Sequence, residues 1–144
     1  MARPKVCVSF DYENDKYSRN AIRLWNENKY IDFDITDKTP SEIDTYNISR
    51  IKAGLTTKIS ESNILLVISG DYINTPHRNR RKIGCINWQN WECQKALELN
   101  KKIILMKLKS SNEIPEELLG ESREDIVGLE LDKINRVILN LMVH

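Results

Sequence analysis

A single carboxylate stands next to two tryptophans in the middle of the chain. Trp88 precedes Glu92 by four residues and Trp91 precedes it directly, in the run Asn87-Trp88-Gln89-Asn90-Trp91-Glu92. The pattern that follows places Glu92 where a loop becomes a helix, and a spacing of four residues puts Trp88 on the same helix face. The run therefore predicts a carboxylate flanked by two large, flat, apolar surfaces. The structural alternative is that the tryptophans pack in the core and Glu92 only stabilises the positive end of the helix dipole.

Two similar tetrapeptides each offer a hydroxyl, a carboxylate and an aromatic ring. They are Ser9-Phe10-Asp11-Tyr12 and Ser69-Gly70-Asp71-Tyr72, and each lies at the end of a predicted strand. Such groups could hold a sugar hydroxyl or a base, and Gly70 would let a ligand approach the backbone. Taken alone, either tetrapeptide is also typical of a turn. Because both are expected to flank one crevice of the sheet, together they favour a binding site.

The densest positive charge of the chain follows the second tetrapeptide. Four of the five residues from 78 to 82 are cations, namely Arg78, Arg80, Arg81 and Lys82. They could bind the diphosphate of a dinucleotide, although a solvated loop is the more common meaning of a charge run. No metal site is predicted, because the sequence contains one histidine besides His77, the terminal His144, and the cysteines are not clustered. The signatures G-x-G-x-x-G, Walker loop and G-x-S-x-G are missing, which argues against dehydrogenases, P-loop nucleotidases and α/β-hydrolases.

Alternating apolar and amphipathic segments must position these residues. The predicted strands are Lys5–Phe10, Tyr30–Ile35 at a sheet edge, Ile64–Ser69, Ile103–Met106 and Ile126–Leu129. Helices are predicted between and after them: one with Tyr17, Ala21, Leu24 and Trp25 on its core face, one through Ile48 and Ile59, one over Cys93–Asn100, a short one over Pro115–Leu119, and a last one through Ile134 and Met142. This alternation predicts a flavodoxin-like, three-layer α/β domain with a parallel sheet of four or five strands in the order 2-1-3-4-5. In that order, ligands bind in the crevice between strands 1 and 3.

Composition limits the class of protein. The 144 residues are expected to form one domain over 1–144. With 22 basic and 21 acidic residues the chain has no overall reason to bind nucleic acid or a membrane, and no segment is long and apolar enough to span one. The three cysteines lack C-x-x-C spacing, so free thiols in a reducing compartment are expected. No signal peptide is recognised, which favours a cytoplasmic location.

The residues carry a resemblance to one family. The opening Lys5-Val6-Cys7-Val8-Ser9-Phe10-Asp11-Tyr12, the apolar strand Ile64–Ser69 and the Trp88-x-x-Trp91-Glu92 run are similar to the short bacterial TIR-like proteins of the Thoeris anti-phage defence system. In that family a tryptophan precedes the catalytic glutamate by four positions and an aromatic residue often precedes it directly. The resemblance spans roughly Lys5 to Leu108. This chain differs by a longer, Arg-rich loop before the tryptophan and by Trp91 where tyrosine is commoner.

The resemblance implies an enzyme that cleaves the bond between nicotinamide and ribose in NAD and often converts ADP-ribose into a cyclic or conjugated signal. It implies Glu92 as the catalytic residue, acting by electrostatic stabilisation or as a nucleophile. The expected substrate-binding residues are Ser9, Phe10, Asp11, Tyr12, Asp37, Ser69, Gly70, Trp88 and Trp91. No cofactor or metal is expected, since NAD is the substrate.

The same resemblance implies regulated assembly. The expected partners are NAD, further copies of the chain on activation, a phage-derived trigger protein, and a downstream effector that the signal molecule reaches. The loop from Thr36 to Ser41, which contains Asp37, is expected to contact a neighbouring subunit or to gate its pocket. Two other functions remain open: a catalytically silent TIR-like adaptor, and a receiver domain with Asp11 and Asp71 as its acidic residues.

Overall fold

The chain folds as alternating strands and helices. The computed structural model describes residues 3–11, 14–28, 31–36 and 47–143. In chain order the elements are β1 Lys5–Ser9, α1 Lys16–Asn26, β2 Asp34–Thr36, α2 Ile48–Ser60, β3 Ile64–Ser69, α3 Arg80–Ile83, α4 Trp88–Glu98, β4 Lys102–Lys107, a 3-10 helix Glu116–Leu118, β5 Glu124–Val127 and α5 Leu131–Val143. Among the described residues, no helix is both long and apolar enough to cross a bilayer.

The strands form one parallel sheet in the order β2-β1-β3-β4-β5. This confirms the predicted flavodoxin-like order and the edge position of strand 2. From β1 the chain crosses to β2 on one side and then to β3 on the other, so the switch point lies between β1 and β3. Their carboxyl ends meet in register, with Ser9 paired to Val67. Ligands bind at such a point in open α/β sheets.

The two faces of the sheet carry separate apolar layers. Alternate residues such as Val8 and Leu66 face α1 and α5, while Cys7 and Val67 face α2 and α4. All six residues of β3 are buried. The strand therefore shows no polar alternation, because neither of its faces meets water.

Several predicted boundaries and one predicted face are corrected by the structure. The predicted core face of α1 is wrong for Tyr17 and Leu24, which are 70% and 66% exposed, while Ser18 and Ile22 are buried. The predicted second strand is reduced to three residues at its carboxyl end, the last strand lies two residues earlier, and the short α3 was not predicted. These segments are short, and short segments leave periodicity little to measure.

Helix α4 begins five residues earlier than predicted, at Trp88 rather than Cys93. Asn87 caps it by accepting a hydrogen bond from the backbone N–H of Asn90 at 3.0 Å. The Asn87 side chain also donates to the carbonyls of Ile73 and Thr75, at 2.7 and 3.1 Å. Glu92 consequently lies in the second turn of the helix. The dipole interaction falls off within the first turn, so this position weakens the purely structural explanation of Glu92.

Asn90 ties the same helix to the loop after β3. It is fully buried; its Nδ2 donates to the Ile73 carbonyl at 3.1 Å and its Oδ1 accepts from the Glu117 N–H at 3.1 Å.

Replacing Asn90 with Leu is expected to lower the free energy of unfolding by about 2–4 kcal/mol, because buried polar groups lose their partners. Urea unfolding measures this loss. Asn140→Leu, at an exposed site on α5, is the control; equal midpoints for both variants would contradict the role of Asn90.

Candidate active site

Glu92 is buried beside the end of β1. Its side chain is 3% exposed, and its Oε1 accepts a hydrogen bond from the Ser9 hydroxyl at 3.1 Å. Helix α4 supplies the carboxylate and β1 supplies the hydroxyl, so the contact lies at the switch point of the sheet. Two residues separated by 83 positions in the sequence are thus brought together by the fold.

Burial controls the ionisation of Glu92. Loss of solvent raises the pKa of its carboxyl from the ordinary 4.5 to about 7, against the opposing effects of the Lys58 ammonium and the Ser9 hydroxyl. Lys58 lies on α2 and is 7% exposed. It also lies close to the buried thiol of Cys7, whose pKa burial raises to about 12. The pKa of Glu92 therefore lies near neutral pH, where the side chain can both take up and release a proton.

This raised pKa predicts a pH-dependent stability. The folded protein holds a proton on Glu92 up to about pH 7, whereas the unfolded chain releases it near 4.5. The stabilisation is present below pH 4.5 and is lost as the pH rises through 7, by roughly 3 kcal/mol in all. Urea unfolding of the native chain and of Glu92→Gln across this range isolates the effect. As the pH rises, the unfolding free energy of the native chain should fall relative to that of Glu92→Gln. A difference between the two proteins that stays constant over this range would contradict the raised pKa of Glu92.

A cleft opens at the carboxyl ends of β1, β3 and β4, and Gln89 of α4 lines it. Its volume is about 150 Å³. The lining residues are predominantly polar and include three carboxylates; they are Asp11, Asn14, Asp15, Gly70, Asp71, Tyr72, Ile73, Gln89, Leu108, Lys109 and Asn112. Of the predicted binding residues, Asp11 and Gly70 line this cleft. A Cβ on Gly70 would lie 3.5 Å from Leu108 and would take up part of the space.

One side of the cleft carries an ion pair and an amide that bind one another. Lys109 Nζ lies 3.0 Å from an Asp71 carboxylate oxygen, and Asn112 Nδ2 donates to the same oxygen at 2.9 Å. The hydrogen bond from Lys109, followed by that from Asn112, lowers the pKa of Asp71. Asp71 is thus an ionised acceptor at the rim. Lys109 and Asn112 follow β4 and come close only through the fold, which is why sequence reasoning missed them.

Other predicted binding residues lie elsewhere. The Ser69 hydroxyl donates to the Glu113 carbonyl at 2.6 Å, and Phe10 packs in the core beneath α1 and α5. Neither lines the cleft. Tyr12 and Asp37 fall outside the described residues, as does most of the loop expected to contact a neighbouring subunit.

The tryptophans belong to an apolar cluster between α4 and α2. Trp91 is 5% exposed and packs with Ile51 and Leu55 of α2 and with Ile83. Trp88 packs against the same cluster, with its ring 5.9 Å from that of Trp91 and nearly perpendicular to it. Neither ring lines the cleft. For Trp91, core packing is what the structure shows.

The residues of α3 and the possibility of a metal site concern two further predictions from the sequence. Arg80, Arg81 and Lys82 form the exposed surface of α3, and no residue of this helix lines the cleft. Within the described part of the chain, no group of three or more His, Cys, Asp or Glu side chains could hold a metal ion. The one cation among the described residues that line the cleft is Lys109.

Two polar residues near Glu92 were missed by sequence reasoning. Lys58 follows Ile51 and Leu55 at helical spacing, so a cation on the apolar face of α2 was a readable signal. Gln89 carried no such signal. Its Nε2 donates to the carbonyls of Ser9 and Ile68, at 3.2 and 2.9 Å, and these partners are remote in sequence.

Comparison with known proteins supports both fold and family. A solved structure of a 2-deoxyribosyltransferase from the psychrotolerant bacterium Bacillus psychrosaccharolyticus is similar, with a TM-score of 0.57 and 10% identity over 91% of this chain and 90% of that one. At this identity the likeness shows the fold alone. No curated protein matches the chain.

The family model of the Thoeris protein ThsB, TIR-like domain, matches residues 7–113. This range includes Ser9, Glu92 and every lining residue of the cleft. It covers well over half of the chain. The chain therefore belongs to the TIR-like domain family of the Thoeris protein ThsB, a membership that supports a role in anti-phage defence.

Proposed function

We propose that this protein cleaves the bond between nicotinamide and ribose in NAD, with Glu92 as the catalytic carboxylate, and forms an ADP-ribose-derived signal. The observation that carries the proposal is a buried carboxylate at the switch point, held by Ser9 Oγ at 3.1 Å beside a polar cleft. Family membership gives the setting. A buried acid of this kind is costly to the fold, and perturbed acids of this kind cluster at functional sites.

A lone carboxylate suits this reaction. Ordinary glycosidases use two carboxyl groups because the departing oxygen must be protonated. Nicotinamide instead leaves from a cationic ring nitrogen as a neutral molecule, so no general acid is required. Glu92 in its ionised form would stabilise the positive charge that develops on the ribose, or would attack the same carbon. Because the side chain is 3% exposed, water would screen the attraction poorly.

Binding of the substrate would itself favour the ionised form of Glu92, which is the form that acts in the proposed reaction. Burial holds the pKa of this carboxyl at about 7, so a large fraction is protonated in the empty site at neutral pH. A cationic nicotinamide ring placed nearby would lower that pKa, as any opposite charge does. NAD binding and ionisation of Glu92 would then reinforce each other.

The cleft supports binding of one part of the dinucleotide. Its volume of about 150 Å³ is below the 300–1,000 Å³ of typical small-molecule pockets. Asp11, Asp15 and Asp71 offer carboxylate oxygens to donors such as ribose hydroxyls. The remainder of NAD would extend beyond the cleft, toward surfaces that a neighbouring copy supplies on activation.

The proposal includes partners: further copies of the chain, a phage-derived trigger and an effector that responds to the signal. The direct test incubates purified protein with NAD, with and without the trigger, and measures nicotinamide by chromatography. Release that depends on the protein supports the enzyme. Intact NAD with the trigger present would favour the silent adaptor, and labelling by acetyl phosphate would favour a receiver.

A further inference from the structure

The Gln89 side chain spans the two central strands at the switch point. It is 7% exposed, and its Nε2 donates to the carbonyl of Ser9 at the end of β1 and to that of Ile68 near the end of β3. Gln89 precedes Glu92 by three residues on α4, so the two side chains lie on one helix face. One amide therefore joins the helix to both strands, directly beside the carboxylate.

The same side chain is in contact both with the cleft and with the residue that holds Glu92. Gln89 lines the cleft, whereas Glu92 and Ser9 do not. Ser9 is contacted from both sides: its carbonyl accepts from Gln89, and its hydroxyl donates to Glu92. A chain of contacts therefore leads from the cleft through Gln89 and Ser9 to the carboxylate. A sugar in the cleft would be separated from the group that must act on it.

We infer that Gln89 controls access to the site: its amide closes the cleft off from Glu92, and its release from the Ser9 and Ile68 carbonyls admits the sugar of the substrate. The identity of that substrate as NAD rests on the proposed function. An uncharged amide suits this role because it can exchange its two carbonyl partners for water without burying a charge. The released carbonyls would then be free to accept hydrogen bonds from ribose hydroxyls.

Access to Glu92 can be measured without any catalytic activity. A water-soluble carbodiimide with glycinamide modifies carboxyl groups that solvent reaches, and peptide mass spectrometry reports the extent at each residue. Glycinamide adducts and cross-links to Lys58, the ammonium that faces Glu92 from α2, are counted together. Glu98, whose side chain is 54% exposed on the same helix, is the internal reference.

The variant Gln89→Ala removes the amide, and Gln94→Ala is the matched control. Gln94 lies on the same helix and accepts a hydrogen bond from the Cys85 thiol, away from the cleft. Labelling of Glu92 relative to Glu98 should rise by roughly 10- to 100-fold in Gln89→Ala, as expected for two lost hydrogen bonds, and should stay at the native level in Gln94→Ala. If Gln89→Ala does not fold, Gln89→Asn, one methylene too short to reach both carbonyls, replaces it.

Equal labelling of Glu92 in the native chain and in a folded Gln89 variant would overturn the inference. So would an equal rise in Gln94→Ala, because general loosening of α4 would explain it. A parallel assay of nicotinamide release, run on the native chain and the variant with the trigger present, keeps the two proposals apart. Increased labelling with increased release supports both, whereas increased labelling with intact NAD supports access control by Gln89 and removes the proposed reaction.

Discussion

Glu92→Gln is expected to lower the rate of nicotinamide release by about 10²- to 10³-fold while the protein stays folded. Gln is isosteric with Glu, and its amide can still accept the hydrogen bond from Ser9 Oγ that Glu92 accepts at 3.1 Å. It cannot offer a full negative charge to the developing ribosyl cation. Because the side chain lies in a nearly dry site, losing that charge removes an electrostatic interaction that water does not replace.

Nicotinamide release and melting temperature on the same preparations separate catalysis from structure. Above pH 7 the Gln variant should be at least as stable as the native chain, because it buries no ionised carboxylate. A purely structural Glu92 at the helix dipole would give the reverse, a small stability loss with unchanged turnover. Glu98→Gln changes an exposed glutamate of α4 and should retain activity. Full activity in Glu92→Gln would remove this residue from the mechanism.

Val67→Asp is expected to abolish soluble expression. Val67 lies in the middle of the sheet, pairs with Ser9 and Leu105 on its two sides, and is fully buried against α2 and α4. An aspartate there either ionises without a partner or stays protonated, and either state costs several kcal/mol. That cost is a large share of the 5–15 kcal/mol that stabilises a typical domain. Leu105→Asp should behave in the same way, since Leu105 is equally buried on the neighbouring strand.

Val127→Asp is the matched control for this experiment. Val127 is also a strand valine, but it lies on the edge strand β5 and is 47% exposed. This variant should express normally and melt within a few degrees of the native chain. Circular dichroism and the soluble fraction are the measurements. A soluble Val67→Asp protein with a native spectrum would contradict the central position of β3.

The sequence predicted the sheet well because its central strands are unambiguous. Ile64–Ser69 is apolar throughout, and only a strand covered on both faces or a core helix suits such a run; its length favoured the strand. The start of α4 was missed although its cap is local, since Asn87 accepts from the Asn90 N–H. The hydrogen bonds that Asn87 donates to the Ile73 and Thr75 carbonyls exist only in the folded chain. The face of α1 was misread because the aromatic Tyr17 suggested burial, while the small Ser18 is what the core accepts.

The candidate site divides along the same line. Ser9 could be proposed because it ends a strongly patterned strand, and Glu92 because of the tryptophans that precede it and the family resemblance that they carry. The sequence could not decide whether Trp88 and Trp91 bind a ligand or pack in the core, since an amphipathic helix can place large apolar residues in either position. The position of the Gln89 side chain depends on its hydrogen bonds to two backbone carbonyls. No local sequence feature encodes a partner of that kind.

The burial of Cys7 and Cys93 has a practical consequence. Both thiols are fully buried in the layer where α2 and α4 pack on the sheet, and burial raises the pKa of each, that of Cys7 to about 12. Since the thiolate is the reactive form, neither sulfur should meet an alkylating reagent while the sheet is closed. Their alkylation would then occur only when this layer of the protein opens. The rate of that reaction reports how often the native molecule exposes its interior, with no introduced cysteine and no denaturant.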